Sequence, residues 1–151
     1  ILRRGKPLAD RLAAEIGTMM GVTPKVGALS TQLYRDDLRS GRIAGITGAE
    51  GTHFDFDVDG ARVVMVDDVL FTGRTARAAL DEIMDYGRPQ VVRLACLIDR
   101  GLRELPIQPD FLGWSMATRP GDNVAVQLLE SDGVDQVLFE QGEPEPEGEE
   151  G

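Results

Sequence analysis

An α/β fold, with a mostly parallel central sheet flanked by helices, is what the sequence predicts, and three adjoining patterns predict it. Val63-Val64-Met65-Val66 is an apolar run of strand length. Beyond it, Ala76, Ala79, Leu80, Ile83 and Met84 recur at the spacing of one helical face, closed by Gly87 and blocked by Pro89. Val91 to Ile98 is then nearly continuous in apolar residues, as expected of an interior parallel strand covered on both faces. Strand, helix and strand in this order make a right-handed crossover.

The remaining elements follow in chain order. Pro7 suits a first helical turn, and Leu8, Leu12, Ile16 and Met19 recur at helical spacing as far as Gly21. Lys25 to Tyr34 mixes Val26, Ala28, Leu29 and Leu33 with Ser30, Thr31 and Gln32, which predicts a strand with one partly polar face. Ser40 to His53 holds Gly41, Gly45, Gly48 and Gly51 and reads as a flexible segment. His53, the single histidine, reads as a surface residue, and the alternation Phe54, Phe56, Val58 as a short strand.

The chemistry concentrates between strand and helix. Asp67 and Asp68 stand where the first strand should end, followed by Val69-Leu70-Phe71-Thr72-Gly73-Arg74-Thr75. A helix N-terminus offers unpaired N–H groups and partial positive charge, a glycine lets the backbone approach an anion, and two threonines add hydroxyl donors. Such a loop suits one phosphate. Two carboxylates ahead of it would repel a second phosphate but suit the vicinal hydroxyls of a ribose, directly or through hydrated Mg²⁺. The implied ligand is a ribose 5-phosphate. Walker A and dinucleotide-binding loops are both excluded, because neither GK[ST] nor G-x-G-x-x-G is present.

The run VVMVDDVLFTGRTA resembles the phosphoribosyl diphosphate (PRPP) signature of type I phosphoribosyltransferases. With Leu33-Tyr34-Arg35-Asp36-Asp37-Leu38 upstream and Asp99-Arg100-Gly101-Leu102-Arg103-Glu104-Leu105-Pro106-Ile107 downstream, the chain from Ile1 to about Phe139 resembles the PyrR family. These are bifunctional pyrimidine operon regulators and uracil phosphoribosyltransferases. The resemblance implies a type I phosphoribosyltransferase fold with a flap and a small hood. It implies that PRPP and uracil give UMP and diphosphate, with Mg²⁺ carried mainly on PRPP. It further implies UMP-responsive binding of pyrimidine-operon leader mRNA, a cytoplasmic location and a homo-oligomer, dimer or higher. Arg3, Arg4 and Gly5 stand at the diphosphate loop, with Arg3 replacing the family's threonine. Arg35 would reach the diphosphate from the flap, Arg100 would lie near the base, and Pro109 to Trp114 with Asn123 to Val126 would form the hood, Val124 touching the base. Trp114 itself reads as core. Asp67, Asp68, Arg4 and Arg35 would carry catalysis, with substrate held by these and by Val69, Leu70, Phe71, Thr72, Gly73, Arg74 and Thr75. The chain opens where the family has the end of a core strand, so an N-terminal helix and part of that strand are expected to be missing. A regulator with little catalysis and a transferase for another base remain as alternatives, the purine type disfavoured by Arg-Gly-Leu-Arg-Glu-Leu-Pro.

Composition bounds these readings. The 151 residues, 42% of them hydrophobic, suffice for one domain, residues 1–139. The one cysteine, Cys96, lies inside an apolar run and reads as a buried small hydrophobe. The net charge of −10 argues against general affinity for nucleic acid, DNA included. Six glutamates from Glu140 onward, with no Lys or Arg among them, account for most of it and leave −4 over residues 1–139. Residues 140–151 therefore read as an acidic, disordered tail. No apolar run reaches the length of about 20 residues that spans a membrane.

Overall fold

The computed structural model describes residues 1, 4–31 and 51–143. Helix α1 (Gly5–Met20) is followed by strand β1 (Arg62–Leu70), helix α2 (Arg74–Tyr86), strand β2 (Val91–Asp99) and strand β3 (Phe111–Ser115). Strand β4 (Asn123–Gln127), the single-turn helix α3 (Leu129–Asp132) and strand β5 (Gln136–Glu140) complete it. β1, β2 and β3 form a parallel sheet in that order, while β4 and β5 pair antiparallel as a separate hairpin.

The core forms between α2 and one face of the sheet. Met65 and Val63 of β1 and Val92, Leu94 and Cys96 of β2 meet Ala76, Ala79, Leu80 and Ile83 of α2. Alanine at 76 and 79, both fully enclosed, lets the helix lie close to the strands, and burying Ile83 contributes about 2–3 kcal/mol. α1 ends at Gly21 in the left-handed conformation (φ 72°), its N–H bonded to Gly17 O. Its start is pressed against β1: a Cβ on Gly5 would lie 2.6 Å from Val66 O, so only glycine fits. A second core of Ile98, Val124, Val126 and Leu128, joined by Leu8, Val69, Leu97 and Met116, ties the hairpin to α1 and the sheet.

Five expectations are corrected. Across 25–31 there is no strand but a single bridge, Ala28 with His53, closed by two 2.8 Å bonds. Next to the bridge, Gly27 lies against the Phe54 ring, which leaves no space for a Cβ. Phe54 to Val58 is not a strand either; its alternation is one of burial, with Phe54 packed on Phe56 and edge-on to Tyr86 (4.9 Å). Asp57 then turns the chain by accepting the N–H of Asp59. Pro109 to Trp114 does not form a hood. Asp110 accepts the N–H of Leu94 at 2.8 Å and Gly113 lies against Leu97 O, so the segment becomes the outermost parallel strand. Trp114 stands there 68% exposed instead of in the core. Lastly, Asp67 and Asp68 lie within β1, paired as far as Leu70 with Asp99, and not beyond its end.

Glu140, placed by its charge with the tail, closes β5, and Gly142 donates to Asp122 Oδ1 (2.9 Å). The tail from residue 144, most of the flap with Arg35, and Arg3 lie outside the described residues.

Candidate active site

The C-terminal ends of β1 and β2 are where ligands bind in open α/β sheets, and the two strands bring the predicted residues there. Asp67 is buried at 8% exposure, its Oδ1 accepting the N–H of Asp68 (2.9 Å), while Asp68 Oδ1 accepts the N–H of Val69 (2.9 Å). Burial, reinforced by the neighbouring Asp68 charge, pushes the Asp67 carboxyl up to about 7. Such a group gains little from water and more from a ligand hydroxyl.

The loop between β1 and α2 is held by its back. Gly73 takes φ 92°, a left-handed conformation that favours glycine, and its carbonyl starts α2 by accepting Arg77 N–H (3.0 Å). Thr72 Oγ1 accepts the N–H of Arg74 at 3.3 Å. Leu70 O accepts Arg100 N–H (3.1 Å), and Thr72 O accepts the N–H groups of both Glu104 and Leu105 (2.9 and 3.1 Å). Arg74 pairs with Glu104 at the surface.

Arg100 is buried, and its guanidinium lies 4.0 Å from the centre of the Phe71 ring. Its Nη2 donates to Asp122 O (2.7 Å) and its Nε to Thr118 Oγ1 (3.3 Å). The side chain is thus a pin between the loop and the 118–122 turn. Arg103, which the residue pattern did not single out, donates to Phe71 O (2.9 Å), Asp99 Oδ2 (2.6 Å) and Ile107 O (2.7 Å). Its bond holds the Asp99 carboxyl below the usual carboxylate range against the opposing effect of burial. The signal available in the sequence was the charge-dense Asp99 to Glu104 stretch directly after an apolar parallel strand.

Arg4, at the start of α1, is brought beside the acidic pair by the Gly5 contact, yet its fork is engaged by Asp132: Nε to Oδ2 at 3.2 Å and Nη2 to Oδ1 at 3.0 Å. Asp132, lowered below its ordinary range chiefly by that bond, also accepts Leu128 N–H (2.8 Å). Val124 is 7% exposed and its side chain is taken up by the second core. Gly5, Asp67, Asp68, the 70–75 loop and Arg100 thus sit around one strand edge, with Arg4 beside them.

The phosphoribosyl transferase domain model matches residues 1–131. This chain is a phosphoribosyltransferase-family protein. Within that family it belongs with the PyrR proteins. It is 51% identical over 139 residues to Bifunctional protein PyrR of Pelotomaculum thermopropionicum, covering 92% of this chain and 76% of the relative. It is 51% identical over 142 residues to that of Chloroflexus aurantiacus (94% and 77%), and 49% identical over 140 residues to Bifunctional protein PyrR 1 of Lactiplantibacillus plantarum (93% and 78%). The match takes in both the acidic pair and the loop, so the predicted phosphoribosyltransferase fold and family are met.

For Mg²⁺, the donor set is informative. Among the described residues no three His, Cys, Asp or Glu side chains gather as a metal cluster. What this PyrR-family chain offers is two adjacent carboxylates beside a glycine-and-threonine loop at a helix N-terminus, a donor set that suits a cation keeping most of its waters. No helix among the described residues is long and apolar enough to cross a membrane.

Proposed function

We propose that the protein is a uracil phosphoribosyltransferase, forming UMP and diphosphate from uracil and PRPP, and that it binds pyrimidine-operon leader mRNA in response to UMP. The observation that carries the catalytic half is the acidic pair of β1 set directly before a loop whose carbonyls are bonded from behind and whose Gly73 turns left-handed into α2. Membership with proteins named as bifunctional PyrR supports the regulatory half.

In this reading the 5-phosphate rests on the backbone N–H groups and hydroxyls of Thr72 to Thr75, at the positive end of α2. Asp67 and Asp68 hold the ribose hydroxyls, with burial shifting the Asp67 carboxyl upward in the unliganded site. The base attacks C1 of PRPP as diphosphate departs, through a transition state with positive charge on the sugar. The two carboxylates stabilise that charge, and alignment supplies the rest. Asp67 and Asp68 would help to hold Mg²⁺ carried on PRPP, and the ion would supply charge neutralisation for the leaving diphosphate. Arg4 contributes there only by exchanging Asp132 for a diphosphate oxygen, and Arg35 and Arg3 serve the same anion. Arg100 supports the floor under Phe71 in place of touching the base through its guanidinium. A homo-oligomer working in the cytoplasm completes the proposal.

The test is a panel of uracil, hypoxanthine, guanine and orotate with labelled PRPP and Mg²⁺. Turnover of uracil alone supports the reading. Turnover of a purine in preference to uracil replaces it with a transferase for another base, and leader-RNA binding without turnover of any base leaves a regulator.

A further inference from the structure

We propose that Arg103 is a positioning residue for the phosphate-binding loop, orienting its anion-facing N–H groups through the carbonyl of Phe71. This rests on the phosphate-loop reading and adds a residue that makes no contact with the phosphate itself.

In a trans peptide plane the C=O and the following N–H point in opposite directions. Fixing Phe71 O therefore fixes the direction of Thr72 N–H, and fixing Thr72 O fixes that of Gly73 N–H. Three successive carbonyls, those of Leu70, Phe71 and Thr72, are all bonded by the 100–105 segment. Those of Leu70 and Thr72 are held by backbone N–H groups, and that of Phe71 by the Arg103 Nη1 at 2.9 Å. The guanidinium is in turn fixed by Asp99 and Ile107 O, with Arg103 and Asp99 side chains each 14% exposed. A planar fork held on two other sides has little freedom left to lose.

The backbone ahead of Arg103 is shaped for this contact. Gly101 and Leu102 are both left-handed (φ 73° and 59°), Leu102 being the one non-glycine with positive φ among the described residues. Asp99 Oδ1 steadies that turn by accepting Gly101 N–H (3.0 Å). A branched leucine held there carries a steric cost, which the convergent bonds of Arg103 offset. A guanidinium on a carbonyl also polarises the peptide, making the opposite N–H a stronger donor toward an anion.

Calorimetric titration with ribose 5-phosphate, which needs neither base nor turnover, is the direct test. Arg103→Met should weaken binding about tenfold, the effect of one well-aligned charge-assisted bond, and raise KM for PRPP while KM for uracil stays unchanged. Amide exchange over 71–75 should quicken in the same variant. Arg103→Lys, which can reach Phe71 O or Asp99 but not both along with Ile107 O, should fall between it and the parent. Should Arg103→Met fail to fold, Arg103→Lys decides: weaker ribose 5-phosphate binding with an intact melting transition supports the proposal, and undiminished binding overturns it. A parent protein that binds ribose 5-phosphate with Arg103→Met binding equally well overturns the positioning role alone. If the parent does not bind ribose 5-phosphate, the phosphate-loop reading fails and the positioning role with it.

Discussion

Replacing Asp67 with asparagine should stabilise the unliganded protein above neutral pH while abolishing transfer. Asp67 is buried and its carboxyl is raised from 3.8 to about 7, first by burial and then by Asp68. A raised carboxyl means that the folded state favours the protonated form. The stability associated with Asp67 is thus fully present below about pH 4, declines as pH rises towards 7 and is gone above it. At about 1.4 kcal/mol per pH unit, ionising Asp67 in the folded chain costs at most on the order of 4 kcal/mol. Asparagine does not titrate, and its Oδ1 can still accept the Asp68 N–H. The advantage of Asp67→Asn should therefore be small at pH 4.5 and grow to a plateau near pH 8. At about 2–4 °C per kcal/mol for a chain of this size, a gain of half the maximum raises Tm by about 4–8 °C. Calorimetric scans at pH 4.5, 6, 7 and 8 measure it. A variant less stable than the parent at pH 8, or an offset that does not change with pH, would refute the reasoning.

Asp67→Asn combined with Asp68→Asn should eliminate UMP formation and keep the far-ultraviolet circular dichroism of the parent; retained turnover would remove the pair from the site. Gly5→Ala forces a Cβ to 2.6 Å from Val66 O, and urea unfolding should show a loss of about 1–3 kcal/mol. Asp132→Asn frees Arg4, so steady-state kinetics should show KM for PRPP falling by up to about fivefold, the range of a partly exposed ion pair; a rise would mean that Asp132 positions Arg4 and does not compete for it. Deleting the acidic residues from 143 onward removes five of the six tail glutamates. Leader-RNA binding should then tighten at low salt and change little once charges are screened beyond about 10 Å at 0.1 M, as filter binding with intact and shortened protein will show.

The strand–loop–helix unit that carries the candidate site was legible because its signals are local. An apolar run, two acids, a glycine and a helical stripe occupy consecutive residues, and β1, α2 and β2 follow them closely. The α1 stripe and its Gly21 stop were equally plain. Legibility failed where tertiary partners decide. The alternation of Phe54, Phe56 and Val58 is genuine as burial, but a ladder needs a continuing neighbour and only Ala28 with His53 supplies one bridge. Asp110 and Gly113 draw Phe111–Ser115 to the edge of the sheet through contacts with Leu94 and Leu97, which no local pattern announces. The placement of Asp67 inside the strand was missed because an acid normally marks a strand's end, whereas here β2 continues to pair as far as Asp99. Arg4 with Asp132, and Arg103 with Phe71 O, join residues 128 and 32 positions apart, so spacing could not reveal them.

The location of UMP in a crystal of its complex tests the proposed site directly. The 5-phosphate should lie on the backbone N–H groups of Thr72 to Thr75 and the ribose hydroxyls on Asp67 and Asp68. A phosphate found elsewhere, for instance between Arg62 and Arg93 in the groove at the opposite end of the strands, with the acidic pair left to solvent, would contradict it.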